Sequence, residues 1–331
     1  MKKDITKLDG CMIYKQDRFL ERRANSFDTS TPLYITDITN DKIKEVKDKI
    51  TYFYGDVEIE ESEGEIFVMP KDLFDKTRYG YSDLVEIIRR LRDPDGCPWD
   101  KVQTPQSIRT NILEEAYELI EAIDLNSPEK IREEAGDVML QSVFVSCMTE
   151  STLNVSNVDI ITELCHKLIT RHTHIFGKDK AKDAKEALYF WEKAKTKEKG
   201  QKGIEDKLDS VPVTFTALQR ANKVQKIIKK TGFDFPTKEE ALAKIYEEIK
   251  EFTEAEDKDK EKEAGDMLFS VVNVLRLYDI DPELALNGTT TRFEKRFRYV
   301  LQKSSEDGKN LQDMTLDDME KYYQESKNLY K

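Results

Sequence analysis

The sequence predicts a mainly α protein: two all-α helical-bundle repeats preceded by a small α/β segment. Three observations carry that expectation. From about Tyr81 onward, apolar residues recur at three- and four-residue spacings, the pattern of helices that bury one face. Two long stretches of this helical part match each other in register. Residues 1–77 instead hold short clusters rich in β-branched and aromatic side chains.

Within the first 77 residues, TPLYIT (31–36), ITYFY (50–54), VEIE (57–60) and EIFVMP (65–70) each have the length and content of a strand. The charged stretch DKIKEVKDK (41–49) between the first two reads as helix. The helical remainder is punctuated by DPDGCPWD (93–100), NSP (126–128), KEKGQKG (197–203), TGFDFPT (231–237), DPE (281–283) and EDGKN (306–310). In the first of these, Trp99 reads as a packing residue and Asp100 or Thr104 as a helix cap. KEKGQKG reads as a linker, so the chain divides into 1–77, 78–200 and 201–331.

The chain has 331 residues, 36% of them charged, with a formal net charge of −12. No apolar run reaches the roughly 18 residues of a spanning helix, so no membrane partner is expected. The acidic balance argues against a broad basic surface for nucleic acid. Cys11, Cys97, Cys147 and Cys165 show no CxxC spacing, and MKKDITKLDG has no apolar export stretch. Reduced thiols and a cytoplasmic location are expected. There is no GxxxxGK[ST] loop, GxGxxG or serine elbow.

The repeat concentrates carboxylates. NILEEAYELIEAI (111–123) matches KIYEEIKEFTEAE (244–256), and REEAGDVMLQSVFV (132–145) matches EKEAGDMLFSVVNV (261–274). Glu114, Glu115 and Glu118 share a helix face, as do Glu247, Glu248 and Glu251. Glu134 and Asp137 open a segment apolar nearly all round, VMLQSVFVSCM, which predicts a buried helix with partly desolvated carboxylates on its first turns. Two such helices joined by a short loop run antiparallel, so four carboxylates per repeat meet. Two unit charges about 4 Å apart repel by ~4 kcal/mol at an effective dielectric near 20, so the group demands a cation. All-oxygen ligands suit Mg²⁺, with Mn²⁺ as a second choice. Gly136 and Gly265 sit inside helical pattern at a cost of roughly 1 kcal/mol, which suggests that something approaches the backbone there.

Cations and aromatics recur downstream in the same register. Lys167 and Arg171 match Arg292 and Arg296; Trp191 and Lys195 match Tyr323 and Lys327. An aromatic with nearby cations fits a nucleobase carrying a polyphosphate. Glu163 and His166 form an ExxH that in a glutamate-rich bundle would suggest a di-iron site, but the second repeat has no histidine to supply its counterpart.

LVEIIRRLRDPDGCPWDKVQT, ILEEAYELIEAI, REEAGDVMLQSVF, KLITRHTHIFG and WEKAK together resemble the MazG family of nucleoside triphosphate pyrophosphohydrolases, over about residues 81–331. EExxE with ExxD alone is shared with other all-α pyrophosphatases, including dimeric dUTPase-like enzymes. The resemblance implies Mg²⁺-dependent cleavage of an NTP or dNTP to the monophosphate and pyrophosphate, in a homodimer. By position it implies metal ligands Glu115, Glu118, Glu134 and Asp137 in the first repeat, and Glu248, Glu251, Glu263 and Asp266 in the second. The nucleotide would be held by Lys167, Arg171, Trp191 and Lys195, or by Arg292, Arg296, Tyr323 and Lys327. Glu114 and Glu247, outside the ligand sets, are the candidates to orient or deprotonate water. The second repeat departs at Thr290, Arg292 and Tyr323, where the family usually has Asn, Lys and Trp. That departure favours the alternative of a non-catalytic nucleotide- or metal-binding sensor or scaffold, with one or both repeats inactive. Residues 31–74 faintly resemble the C-terminal part of a tetrapyrrole methylase domain, without its glycine-rich cofactor loop, so no methyltransferase activity is expected.

Overall fold

The computed structural model describes residues 10–22, 28–198, 200 and 203–330. The chain forms two compact units, Met1–Thr170 and Arg171–Lys331.

The first unit opens on a four-stranded sheet of order β1-β2-β4-β3, made of Met12–Lys15, Leu33–Thr36, Ile59–Ser62 (β3) and Glu65–Val68 (β4). The β1–β2 pair is parallel, with Met12 opposite Leu33; β4 runs antiparallel to both neighbours, with Ile35 opposite Ile66 and Ile59 opposite Val68. Gly64, at φ +72, supplies the left-handed turn between β3 and β4. Helix α1 (Gln16–Glu21) contributes Phe19 to the sheet's core, and α2 (Ile43–Tyr54) contributes Val46, Ile50, Phe53 and Tyr54.

ITYFY is therefore the last turns of α2 and not a strand. Its apolar residues continue the helical spacing begun at Val46, so one helix face covers the sheet. The helix ends where Gly55 takes φ +73 and donates to the Thr51 carbonyl, a stop that only glycine makes without strain. Strand β1 was not foreseen, because CMIYK is too short to show an alternation.

The helical part of the first unit holds α3 (Tyr81–Arg92), α4 (Arg109–Asp124), α5 (Pro128–Leu153) and most of α6 (Asn157–Arg171). Val85 and Ile88 of α3, Ile108, and Val143, Phe144 and Met148 of α5 make its core. The NSP breaker starts α5: Ser127 accepts from the Lys130 N–H and Pro128 occupies the first turn. Gly96 lies so close to the α3 terminus that a Cβ there would stand 2.4 Å from the Leu91 carbonyl oxygen. Thr104 caps the turn ending at Ser107 and not α4, and Trp99 is exposed in its unit instead of packed. The expectation that α5 is buried throughout holds only for its C-terminal half; Met139, near the carboxylates, is exposed.

The second unit holds α7 (Thr173–Phe176), α8 (Ala184–Glu198), α9 (Ile204–Asp209), α10 (Ala217–Ile228), α11 (Lys238–Glu254), α12 (Lys260–Leu277), α13 (Pro282–Glu306) and α14 (Leu316–Leu329). Thr237 caps α11 and Asp281 caps α13, so two further breakers are helix starts. Arg276, buried on α12, pairs with Asp234 of the TGFDFPT turn. Burial alone would raise the Asp234 carboxyl, but the guanidinium holds it below its ordinary range. The compact units divide inside α6, whereas the sequence reading expects the repeats to divide near residue 200. Compactness follows which helices touch, and α8 packs with α7, whereas a repeat follows register. Part of the 197–203 linker lies outside the described residues. No helix among the described residues is long and apolar enough to cross a membrane.

One buried charge fastens the sheet to the helices. Asp83 of α3 is almost fully buried and accepts from the Gly80 N–H (2.7 Å), Ser30 Oγ (2.8 Å), Thr29 Oγ1 (3.0 Å) and the buried Lys76 ammonium. Burial pushes this carboxyl up, but those donors together hold it below the usual carboxylate range. Its contribution to stability is thus present above the unfolded-state value near ~3.9 and is lost as pH falls through the lower folded value. Asp83→Asn strands the Lys76 charge and should cost about 3–5 kcal/mol in urea unfolding at pH 7. The gap from wild type should shrink below pH 4.

Candidate metal centre and nucleotide site

Helices α4 and α5 pack antiparallel across the short loop at Leu125–Ser127, and α11 and α12 repeat that arrangement. In the first pair the hairpin brings carboxylate oxygens of Glu115, Glu134 and Asp137 within 4.8 Å of one another. In the second it gathers Glu248, Glu251 and Glu263. Glu118 stands outside the first triplet, yet close enough to press on both Glu115 and Glu134. Asp266 stands outside the second, on an exposed turn of α12.

The electrostatics of the two clusters differ. Glu115 is pushed up by partial burial and then by Asp137 and Glu118, with a hydrogen bond from Gln141 opposing. Glu134 is pushed up by desolvation and then by Glu118, Glu133, Asp137 and Glu115. The second cluster carries its own cations. Lys244 Nζ lies 2.8 Å from Glu247 Oε1 and 2.7 Å from Glu248 Oε1, and Lys262 Nζ lies 2.8 Å from Glu263 Oε1 and 3.5 Å from Asp266 Oδ2. Both carboxylates raise the pKa of their lysine. Sequence reading missed Lys244 and Lys262, although their i,i+4 spacing to Glu248 and Asp266 was visible.

The donor set fits a divalent cation. All donors are carboxylate oxygens, suited to a hard ion. Glu248 Oε2 and Glu263 Oε2 are buried without a hydrogen-bond partner, which is costly unless a cation completes them. A Cβ added at Gly136 or Gly265 would meet nothing within 4 Å, so among the described residues no other element approaches that side of either glycine; beside each lies open space one residue from Asp137 or Asp266.

The cation–aromatic groups also recur. In the second unit, Arg171 lies 5.5 Å and Lys195 4.6 Å from the centre of the Trp191 ring. Arg171 is buried, and its fork is bound to Glu198 at 2.8 and 2.9 Å. Around Tyr323 the same partners recur: Arg296 at 6.0 Å and Lys327 at 5.4 Å, with Phe293 against the ring at 5.8 Å. Arg296 donates to the Tyr330 carbonyl, and Arg292 to Thr289 Oγ1 at 2.8 Å. Lys167 is exposed on α6 in the first unit. Glu114 and Glu247 are exposed beside their clusters, Glu247 engaged by Lys244.

Residues 103–176 match the MazG nucleotide pyrophosphohydrolase domain. The chain is 37% identical over 248 residues to the nucleoside triphosphate pyrophosphohydrolase/pyrophosphatase MazG of Thermotoga maritima, spanning 75% of this chain and 95% of that one. The chain belongs to the MazG family. It is 39% identical over 251 residues to the nucleoside triphosphate pyrophosphohydrolase of Escherichia coli K12, spanning 74% of this chain and 95% of that one. A Bacillus subtilis protein, YabN, is 40% identical over 252 residues, covering 75% of this chain and 51% of its own length. As a MazG-family chain it is a nucleotide pyrophosphohydrolase, a hydrolase acting on acid anhydrides.

Crowding of like charges predicts a trade between stability and binding. Without divalent metal, Glu134→Gln should raise the melting temperature by about 1–3 °C, because it removes repulsion at a half-buried site. It should also shrink the upward shift that Mg²⁺ gives the wild type, as read by calorimetry. Glu118→Gln with Glu251→Gln should raise the Mg²⁺ concentration needed for turnover; an unchanged titration would sink the ligand assignment.

Proposed function

We propose that both repeats bind Mg²⁺-nucleotide and that the MazG-family chain hydrolyses NTPs or dNTPs to monophosphate and pyrophosphate, with Mn²⁺ able to replace Mg²⁺. The recurrence of a carboxylate triplet on an antiparallel helix pair carries the reading. Glu115, Glu118, Glu134 and Asp137 would hold the metal in the first repeat, and Glu248, Glu251, Glu263 and Asp266 in the second. When bound, the metal supplies positive charge against the triphosphate and acidifies nearby water.

The chain's own groups do the rest. Trp191 and Tyr323 offer faces for a base or sugar, while Lys167, Arg171 and Lys195, or Arg292, Arg296 and Lys327, offset phosphate charge. Glu114 or Glu247 orients a water and takes its proton as the oxygen attacks the α-phosphorus in line. The bond from that phosphorus to the bridging oxygen breaks, and pyrophosphate leaves with the bond pair.

A homodimer accounts for apolar stripes that each unit leaves open. Val158, Ile161, Leu164 and Leu168 are exposed along α6, as are Leu286, Phe293, Phe297 and Leu301 along α13. Solvated helices do not keep such stripes without a covering partner. The organisation proposed is a small α/β segment (1–77) followed by MazG-like repeats at 78–200 and 201–331, in a cytoplasmic enzyme. A non-catalytic sensor remains the second reading for the 201–331 repeat, favoured by the lysines that already neutralise its carboxylates.

Pyrophosphate release from each common NTP and dNTP, with and without Mg²⁺, tests the activity. Glu134→Gln or Glu263→Gln alone should lower turnover only in part, and the pair should abolish it. Complete loss from one single change would leave the other repeat as scaffold or sensor.

A further inference from the structure

Aligning the repeats places Lys262 opposite Glu133, each directly before the first carboxylate of its ExxD pair. The charge therefore reverses by two units at one register. In the first repeat Glu133 adds to the negative field on Glu134. In the second, Lys262 bridges Glu263 and Asp266 at 2.8 and 3.5 Å. Lys262 has no other ion-pair partner among the described residues, and its side chain is 72% exposed. The clusters also differ in membership: Asp137 belongs to the first triplet, whereas Asp266, 3.5 Å from the Lys262 ammonium, stands outside the second.

We propose that Lys262 is a built-in counter-cation that competes with divalent metal for Glu263 and Asp266. The two repeats then fill at different metal concentrations, the first before the second. The inference rests on the carboxylate clusters being metal sites and deepens that reading. A divalent ion entering the second cluster competes with the ammonium for Glu263, and for Asp266 when that carboxylate is recruited, and binds with a unit positive charge nearby. At about 6 Å in a largely aqueous dielectric, that charge weakens a dication by roughly tenfold. The exposed stem lets Lys262 swing away, so the site is weakened and not closed. In a chain holding both repeats this grades the response to metal: one repeat is loaded at low free divalent ion, and the second is recruited as the ion rises.

Titration of the full chain with Mn²⁺ alone, reading free ion by electron paramagnetic resonance, separates the possibilities. Wild type should show a tight and a weak class, the tight one removed by Glu115→Gln and the weak one by Glu248→Gln. Lys262→Gln should tighten the weak class about three- to tenfold and Lys262→Glu further, while Lys262→Arg leaves it unchanged. Glu133→Lys should weaken the tight class. Circular dichroism melts confirm that the exposed substitutions leave the fold intact. Equal affinities in the wild type, or a weak class indifferent to Lys262→Glu, would overturn the proposal while leaving the metal sites standing. Mn²⁺ binding that survives both Glu115→Gln and Glu248→Gln, or no binding at all, would overturn the metal reading and this proposal together.

Discussion

Repulsion between carboxylates on a helix hairpin is the constraint on which both repeats depend. Folding α4 against α5, or α11 against α12, cannot avoid bringing acidic side chains together, because EExxE and ExxD lie on the facing sides of the two helices. Such a hairpin is destabilised unless something positive enters it. The two repeats meet that demand differently. The first leaves it open: Glu115 and Glu134 are pushed up by desolvation first and by the neighbouring carboxylates second. The second meets part of it with Lys244 and Lys262.

The same helices explain why so much apolar surface is left on each unit. A hairpin that must keep one end open to a triphosphate cannot wrap that end in its own chain. The core instead forms at the far end of α5, around Val143, Phe144 and Met148, and the stripe on α6 stays uncovered. A dimer would satisfy the hydrophobic demand of those stripes without closing the acidic end. The N-terminal sheet solves a separate problem. It carries its own core, and a single buried carboxylate, Asp83, joins it to the first helix of the bundle.

The helical class, the breakers that became the caps of α5, α11 and α13, and three of the four carboxylates expected to meet in each repeat were legible in the sequence, because periodicity, capping residues and register are local or repetitive signals. Local content misled where tertiary packing overrode it: ITYFY has the residues of a strand but completes the helix face that covers the sheet. Trp99 was misread for a related reason, since an aromatic in a turn signals burial only if its own unit reaches it.

Thus the sequence alone determined the repeat, the family and which side chains carry charge toward the site. Only the tertiary structure decided which three carboxylates of each set converge, that Arg171 is already bound by Glu198, and that Lys244 and Lys262 neutralise one cluster and not the other. The physical reason is one of distance. Periodicity specifies the face on which a side chain lies, but an electrostatic interaction depends on separations of a few ångströms, which are set only when two helices are packed together.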